Sequence, residues 1–184
     1  VDPQAPPGMM GKPQPYNRVE AAYADLARSA GLDAVDVSIL ESADGHAHLL
    51  IPRFDVDSAG KSLHQHTLGG LLHVDYNEPA SSSYEEYLRA ALALGMSGGA
   101  LQEAYRRMVF NVMAINQDDH VKNLSFHMLQ DGSWRLTPAY DLTFARGTGW
   151  TRQHQMRVNG KVKGITRHDL KHVAQTFAVK GANA

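Results

Sequence analysis

The chain predicts an α+β fold, and three observations carry that prediction. Residues 101–115 place Leu101, Tyr105, Met108, Val112 and Ile115 at helical spacing. Leu124–Met128 and Trp134–Leu136 are short strand-like runs about a turn at Gln130-Asp131-Gly132. Asn159-Gly160, flanked by Met156-Arg157-Val158 and Lys161-Val162-Lys163, is the strongest short hairpin signal a sequence carries. The expected order is therefore a strand-bearing beginning, a helical middle and hairpins near the end.

Taken in order, residues 1–15 hold five of the eight prolines, so they read as an irregular linker ahead of a folded unit over 16–184. Gly8-Met9-Met10-Gly11-Lys12 hints at a phosphate loop but fails the pattern. A Walker loop needs four residues between its glycines and Ser or Thr after the Lys, and here Pro13 follows. Asn17 is suited to cap a helix over 18–30, with Glu20 at its third position and Gly31 ending it. Residues 35–40 and 48–54 read as strands joined by a turn at Ala43-Asp44-Gly45. Helices follow over Tyr84–Leu94 and Gly99–Ile115, and Thr166 with Asp169 opens a last helix.

At 184 residues the chain suits one domain or one lobe of a larger enzyme. No apolar run approaches the ~20 residues a membrane span requires, and Val1-Asp2-Pro3-Gln4 does not resemble a signal peptide. The absence of cysteine excludes thiolate and disulfide chemistry and fits a cytoplasmic location. Net charge is −1, but residues 151–184 carry seven Lys/Arg against Asp169 alone. That basic stretch reads either as a surface for nucleic acid or an acidic partner, or as a solvated face. His46/His48 and His64/His66 would share strand faces, yet no third ligand is spaced with either pair for zinc.

The chemistry concentrates in Asn116-Gln117-Asp118-Asp119-His120-Val121-Lys122-Asn123, with Tyr140-Asp141 downstream. An Asp, an Asn five positions on and a second Asp after a hairpin are what phosphoryl transfer from ATP uses. One carboxylate orients the acceptor hydroxyl, and the Asn amide oxygen with the distal Asp holds Mg²⁺. The spacing selects Asp118 over Asp119 as the catalytic carboxylate and Asn123 with Asp141 as metal ligands. The plainer alternative makes Asp118 and Asp119 solvated loop acids. Lys122 could meet a phosphate or stand as an exposed lysine. A His inside such a turn could also hold backbone carbonyls. Arg53 and Asp55 could form an ion pair, and Glu20 could be a first-turn carboxylate favoured by the helix dipole.

Asp118-Asp119-His120-Val121-Lys122-Asn123-Leu124-Ser125 and Arg135-Leu136-Thr137-Pro138-Ala139-Tyr140-Asp141-Leu142 resemble the catalytic and metal-binding segments of the HipA family. These are serine/threonine protein kinases acting as toxins of bacterial toxin–antitoxin pairs. The resemblance extends to Glu20, Arg53-Phe54-Asp55 and Val158-Asn159-Gly160-Lys161, spanning roughly residues 16–178. It implies a protein-kinase-like fold, mostly the helical C-terminal lobe with a few strands from the N-terminal side. It also implies that Pro52, Arg53 and Phe54 border adenine at an interlobe hinge, and that His120 and Tyr140 touch nucleotide. Glu20 would lie where kinases keep the glutamate that pairs with a phosphate-binding lysine. The implied cofactors are ATP and Mg²⁺. The implied partners are a protein substrate such as an aminoacyl-tRNA synthetase and a HipB-like DNA-binding antitoxin, with DNA met only through that antitoxin.

The residues match the later part of the family pattern. The phosphate-covering loop and its lysine are expected upstream of residue 1, so this chain by itself is expected to be a weak or inactive kinase. Leu142-Thr143 stands where ordinary kinases have Phe-Gly, which predicts no flipping switch. Two further readings stand beside the kinase: a non-catalytic lobe docking an antitoxin or other protein, and a small-molecule phosphotransferase. The latter families usually place His two residues before the catalytic Asp, where this chain has Asn116; its His120 lies two residues after.

Overall fold

The computed structural model describes residues 16–43 and 45–181, so the linker, the glycine-containing stretch 8–12 and the Asp44 turn position lie outside the described residues. The chain begins with helix α1 (Tyr16–Ser29) and an antiparallel hairpin of β1 (Ser38–Glu41) and β2 (Ala47–Leu50). Strand β3 (His64–Thr67), helix α2 (Leu68–Leu72) and β4 (Ser82–Ser83) lead into helices α3 (Tyr84–Ala93) and α4 (Gly99–Met113). Strands β5 (Ser125–Met128) and β6 (Trp134–Leu136), a 3₁₀ turn over Trp150–Arg152, β7 (Met156–Arg157) and α5 (Arg167–Thr176) complete it. The mixture of helices and short sheets is the α+β architecture expected.

Several boundaries differ from expectation for physical reasons. Helix α1 starts at Tyr16, so Asn17 lies inside it rather than at its cap, and the Asn17 amide donates to the Ala47 carbonyl instead. Glu20 is consequently past the first turn, which removes the helix-dipole account of it. Strand β2 stops at Leu50 because Pro52 has no N–H to donate and restrains Ile51. Pro52, Arg53 and Phe54 therefore follow the strand rather than end it. Asn159 and Gly160 do turn the chain with positive φ (49° and 75°), closing Val158 onto Lys161. The turn thus closes one antiparallel bridge, as expected of a hairpin, while Met156 and Arg157 before it pair in parallel with Ser82–Ser83, so β7 also completes a two-stranded parallel sheet.

Strands β3, β5 and β6 form an antiparallel sheet in that order, with Phe126 opposite Leu136 and His66. Its inner face packs on α3 and α4 through Tyr87, Leu88, Met108, Phe126 and Leu136, the centre of the larger apolar core. Burying a residue such as Met108 or Phe126 contributes roughly 1.5–3 kcal/mol each. A second cluster of Ala27, Leu32, Phe110, Ala139 and Leu142 fastens α1 to α4 and to the segment before Asp141. Tyr23 donates to the Ala114 carbonyl at 2.7 Å and meets Phe110 edge-on, fixing the same junction. Ala139 exchanges backbone hydrogen bonds with Asp33 and Val35. Helix, sheet and loop thereby converge where Asp118, Asn123 and Asp141 lie. Among the described residues no helix is long and apolar enough to cross a membrane.

Candidate functional site

The loop carrying Asp118 starts with a backbone under strain. Ile115 has φ 56°, a left-handed conformation costly for a β-branched side chain. It is held there by Ala145, whose N–H donates to Ile115 O while its carbonyl accepts from Gln117 N. The loop before Asp118 and the segment after Asp141 are thus stitched together. Asp141 itself is left-handed (φ 55°), which Asp tolerates better than most residues.

From the other side, Leu68 N and Gly69 N donate to the carbonyls of Leu124 and Val121, bracketing Asn123. A Cβ on Gly69 would lie 2.8 Å from Val121 Cγ2, so only glycine lets α2 approach the loop this closely. Thr67 caps α2, its hydroxyl accepting from Gly70 N at 3.0 Å.

Asn123 Nδ2 donates to the Asp118 carbonyl at 3.1 Å. That bond assigns the amide's orientation, because the flipped form would oppose two oxygens; it leaves Oδ1 as the acceptor a metal needs. Asn123 and Asp141 line one recess together with Arg107, Asn111, Asn116, Asp119 and Tyr140. Its volume is about 10 Å³, water- or ion-sized and far below a nucleotide. Asp118 is not among the lining residues. Burial raises its carboxyl above the usual range, with His120 opposing and the charges of Asp141 and Asp119 adding to the rise. Glu20 is raised for like reasons, burial first and then the charge of Asp141. Glu20 and Asp118, from separate segments, therefore each sense the charge of Asp141.

Asp119 was given no role from sequence beyond the plainer alternative of a solvated loop acid. It is 2 % exposed and fully engaged, not a solvated loop acid. Its Oδ2 accepts from the Tyr84 hydroxyl at 2.9 Å and faces His154 Nδ1 at 2.8 Å, while Oδ1 accepts from Gln155 N at 2.8 Å. The chain continues as Asn111 Nδ2 donating to Tyr84 Oη and Asn116 Nδ2 donating to Asn111 Oδ1. Burial and the Asp119 charge push the Tyr84 phenol well above its ordinary range, keeping it a neutral donor. None of Tyr84, Asn111, His154 or Gln155 was singled out beforehand. A signal existed for Asn111, a polar residue in step with Ala104 and Met108 on the buried face of α4. His154, distant in sequence, had none.

The remaining expected site residues distribute as follows. Phe54 stacks on Tyr140 (centroids 5.4 Å, 29°) and leans on His127, which brings the 52–54 segment beside Asp141. Arg53 forms a two-pronged exposed pair with Asp55 (2.9 and 2.6 Å), the ion pair considered from sequence. Pro52 is exposed beside it. The Tyr140 hydroxyl donates to the Lys122 carbonyl at 2.6 Å and meets Ser125 Oγ, so it braces the loop. The Lys122 ammonium sits 3.5 Å above the Tyr76 ring, a cation–π contact. The His120 backbone N–H donates to the Asp118 carbonyl at 2.9 Å, whereas its ring Nδ1 is buried without a partner among the described residues. Among the described residues no group of three His, Cys, Asp or Glu is placed to hold a metal ion.

Comparison with known proteins agrees with this architecture. The family model described as "HipA-like C-terminal domain" matches residues 4–184. A Haemophilus influenzae protein described as a "Putative kinase" is 27% identical over 134 residues, covering 66% of this chain and 39% of that protein. The structure of the Shewanella oneidensis MR-1 toxin–antitoxin complex of HipA, HipB and operator DNA superposes with a TM-score of 0.74 at 20% identity. It covers 91% of this chain and 44% of that one. The chain thus spans less than half the length of either protein. With the family model matching residues 4–184, nearly the whole length, the chain belongs to the HipA-like C-terminal domain family.

Proposed function

We propose that this chain is the catalytic lobe of an ATP- and Mg²⁺-dependent serine/threonine protein kinase of the HipA toxin type. The observation that carries the proposal is the convergence of Asn123 and Asp141 on one recess, with Asp118 tied to Asn123 through its backbone. Asn123 Oδ1 and the Asp141 carboxylate are hard oxygen donors, so Mg²⁺ fits the donor set better than zinc or another soft metal. When bound, Mg²⁺ neutralises phosphate charge and fixes the transferring group.

The chain's own residues do the rest. Asp118 orients the acceptor hydroxyl and accepts its proton late, which its raised pKa favours. The strained Ile115 turn and the Ala145 bonds hold Asp118 and Asp141 in fixed relation, contributing orientation rather than new contacts. Phe54, beside Tyr140, offers an apolar face to adenine, with Pro52 and Arg53 at the same edge. Lys122 and His120 lie close enough to Asp118 to oppose the rise of its carboxyl, which supports a place for them beside the transferring phosphate. Glu20, half-buried and sensing the Asp141 charge, would serve as the glutamate that receives a phosphate-binding lysine. The folded unit over 16–184, the HipB-like antitoxin partner, DNA contact only through it, a translation-machinery substrate such as an aminoacyl-tRNA synthetase and a cytoplasmic location belong to this same reading. The antitoxin gains support from the Shewanella neighbour, a HipA–HipB–DNA complex.

Paramagnetic Mn²⁺ in place of Mg²⁺ tests the site. Electron spin resonance should show Mn²⁺ bound in the presence of a non-hydrolysable ATP analogue and released from Asn123→Ala and Asp141→Ala. Equal Mn²⁺ binding in the wild type and both variants would defeat the assignment.

A further inference from the structure

A second, larger concavity lies against the loop that bears Asp118. It encloses about 480 Å³, within the usual span for ligand sites, and is lined by Val112, Ile115, Gln117, Arg146, Arg152, His154, Lys163, Gly164 and Ile165. Three features set it apart from an ordinary solvated face. Its three cations come from separate points of the chain: the extended segment after Asp141, the 3₁₀ turn and the loop before α5. No carboxylate lines it, and Arg146, Arg152 and Lys163 form no ion pair among the described residues, whereas Arg18, Arg53 and Lys161 each hold one. Its floor is apolar, from Val112, Ile115 and Ile165, and its inner wall is His154, already fixed by Asp119.

A cleft with charge of one sign over low-dielectric walls concentrates its field on an opposite charge. Gln117 in its wall is the neighbour of Asp118, so a chain lying there would pass beside the catalytic carboxylate. We infer that this groove binds an acidic peptide segment of the protein acceptor, carboxylate side chains meeting Arg146, Arg152 and Lys163 while apolar ones meet Ile115 and Ile165. Its role as an acceptor groove rests on the kinase reading; binding of the peptide does not. The apolar floor favours peptide over nucleic acid. Single-stranded nucleic acid is held by Phe, Tyr or Trp stacking, and none of these lines the groove; a duplex needs a longer row of phosphate contacts. Guanidinium groups suit carboxylates because they grip them with two parallel bonds.

The test is fluorescence anisotropy at low salt with three labelled probes: a serine peptide flanked by glutamates, the same peptide with glutamines, and a single-stranded RNA of equal charge. The glutamate peptide should bind at least about tenfold more tightly than the glutamine peptide and weaken as salt rises. Arg146→Ala, Arg152→Ala and Lys163→Ala combined should lose about tenfold or more, and Arg152→Glu should turn preference towards a lysine-flanked peptide. All variants should keep the wild-type melting temperature and Mg²⁺-dependent ATP-analogue binding. Indifference to glutamate or to the triple substitution would overturn the inference. So would RNA binding more tightly than the peptide through the same three residues. ATP-analogue binding in the same samples separates the two proposals. Its absence with peptide binding intact sinks the kinase reading alone, and its presence without peptide binding sinks the groove alone.

Discussion

Replacing Asp119 with Ala should cost more stability than replacing any other carboxylate around the site. Its carboxylate is buried with three partners, and removing it leaves the Tyr84 hydroxyl, the His154 ring and the Gln155 N–H without an acceptor. Breaking such a buried charged arrangement from one side costs about 3–5 kcal/mol. Tyr84→Phe removes one donor to Asp119 and the acceptor of Asn111, so about 1–3 kcal/mol is expected from unsatisfied buried polar groups. Because both substitutions act on one network, the double variant should lose less than their combined single effects. Urea unfolding followed by Trp134 and Trp150 fluorescence reads these differences directly. A loss below about 0.5 kcal/mol for Asp119→Ala is what an exposed loop acid would give. That result would refute the account of Asp119 as the buried anchor beneath the Asp118 loop.

Further outcomes follow from the same geometry. Gly69→Ala should push Val121 away and weaken Mg²⁺–nucleotide binding, at about 1–3 kcal/mol in stability, as calorimetry and urea unfolding would show. Asp169 lies far below the usual carboxylate range because Lys161, Thr166 and Asn159 donate to it. A depressed folded pKa gives stability that is complete above the unfolded value near about 3.9 and lost as pH falls below it. Asp169→Asn should therefore flatten the acid limb of the melting-temperature profile. A cation at Asp141 cancels the charge that helps raise Glu20 and Asp118. Cation binding just above the ordinary carboxylate range should then release protons, and at alkaline pH almost none, a difference read by calorimetry in buffers of unlike ionisation enthalpy.

Much of the fold was legible in the sequence because its signals are local. Helix α4 showed its apolar spacing, α5 its Thr166/Asp169 opening and the β5–β6 pair its Asp131-Gly132 turn. Asn123 and Asp141 could be paired because the chemistry that uses them fixes their spacing, and the structure places both in one recess. What could not be read depends on contacts between distant segments. Beyond the bridge that Asn159-Gly160 closes between Val158 and Lys161, the preceding Met156 and Arg157 pair in parallel with Ser82–Ser83, a contact that no local preference announces. The role of Asp119 rests on Tyr84 and His154, each 35 residues away in opposite directions. The cationic groove likewise draws on three separated stretches, of which only the general basicity after residue 151 was visible.

The most direct test of the central claim is titration calorimetry of a non-hydrolysable ATP analogue, with and without Mg²⁺, into the wild-type chain and its Asp141→Ala variant. The account predicts binding that requires both Mg²⁺ and Asp141. Binding that survives the loss of either, or none in the wild type with Mg²⁺ present, would contradict it.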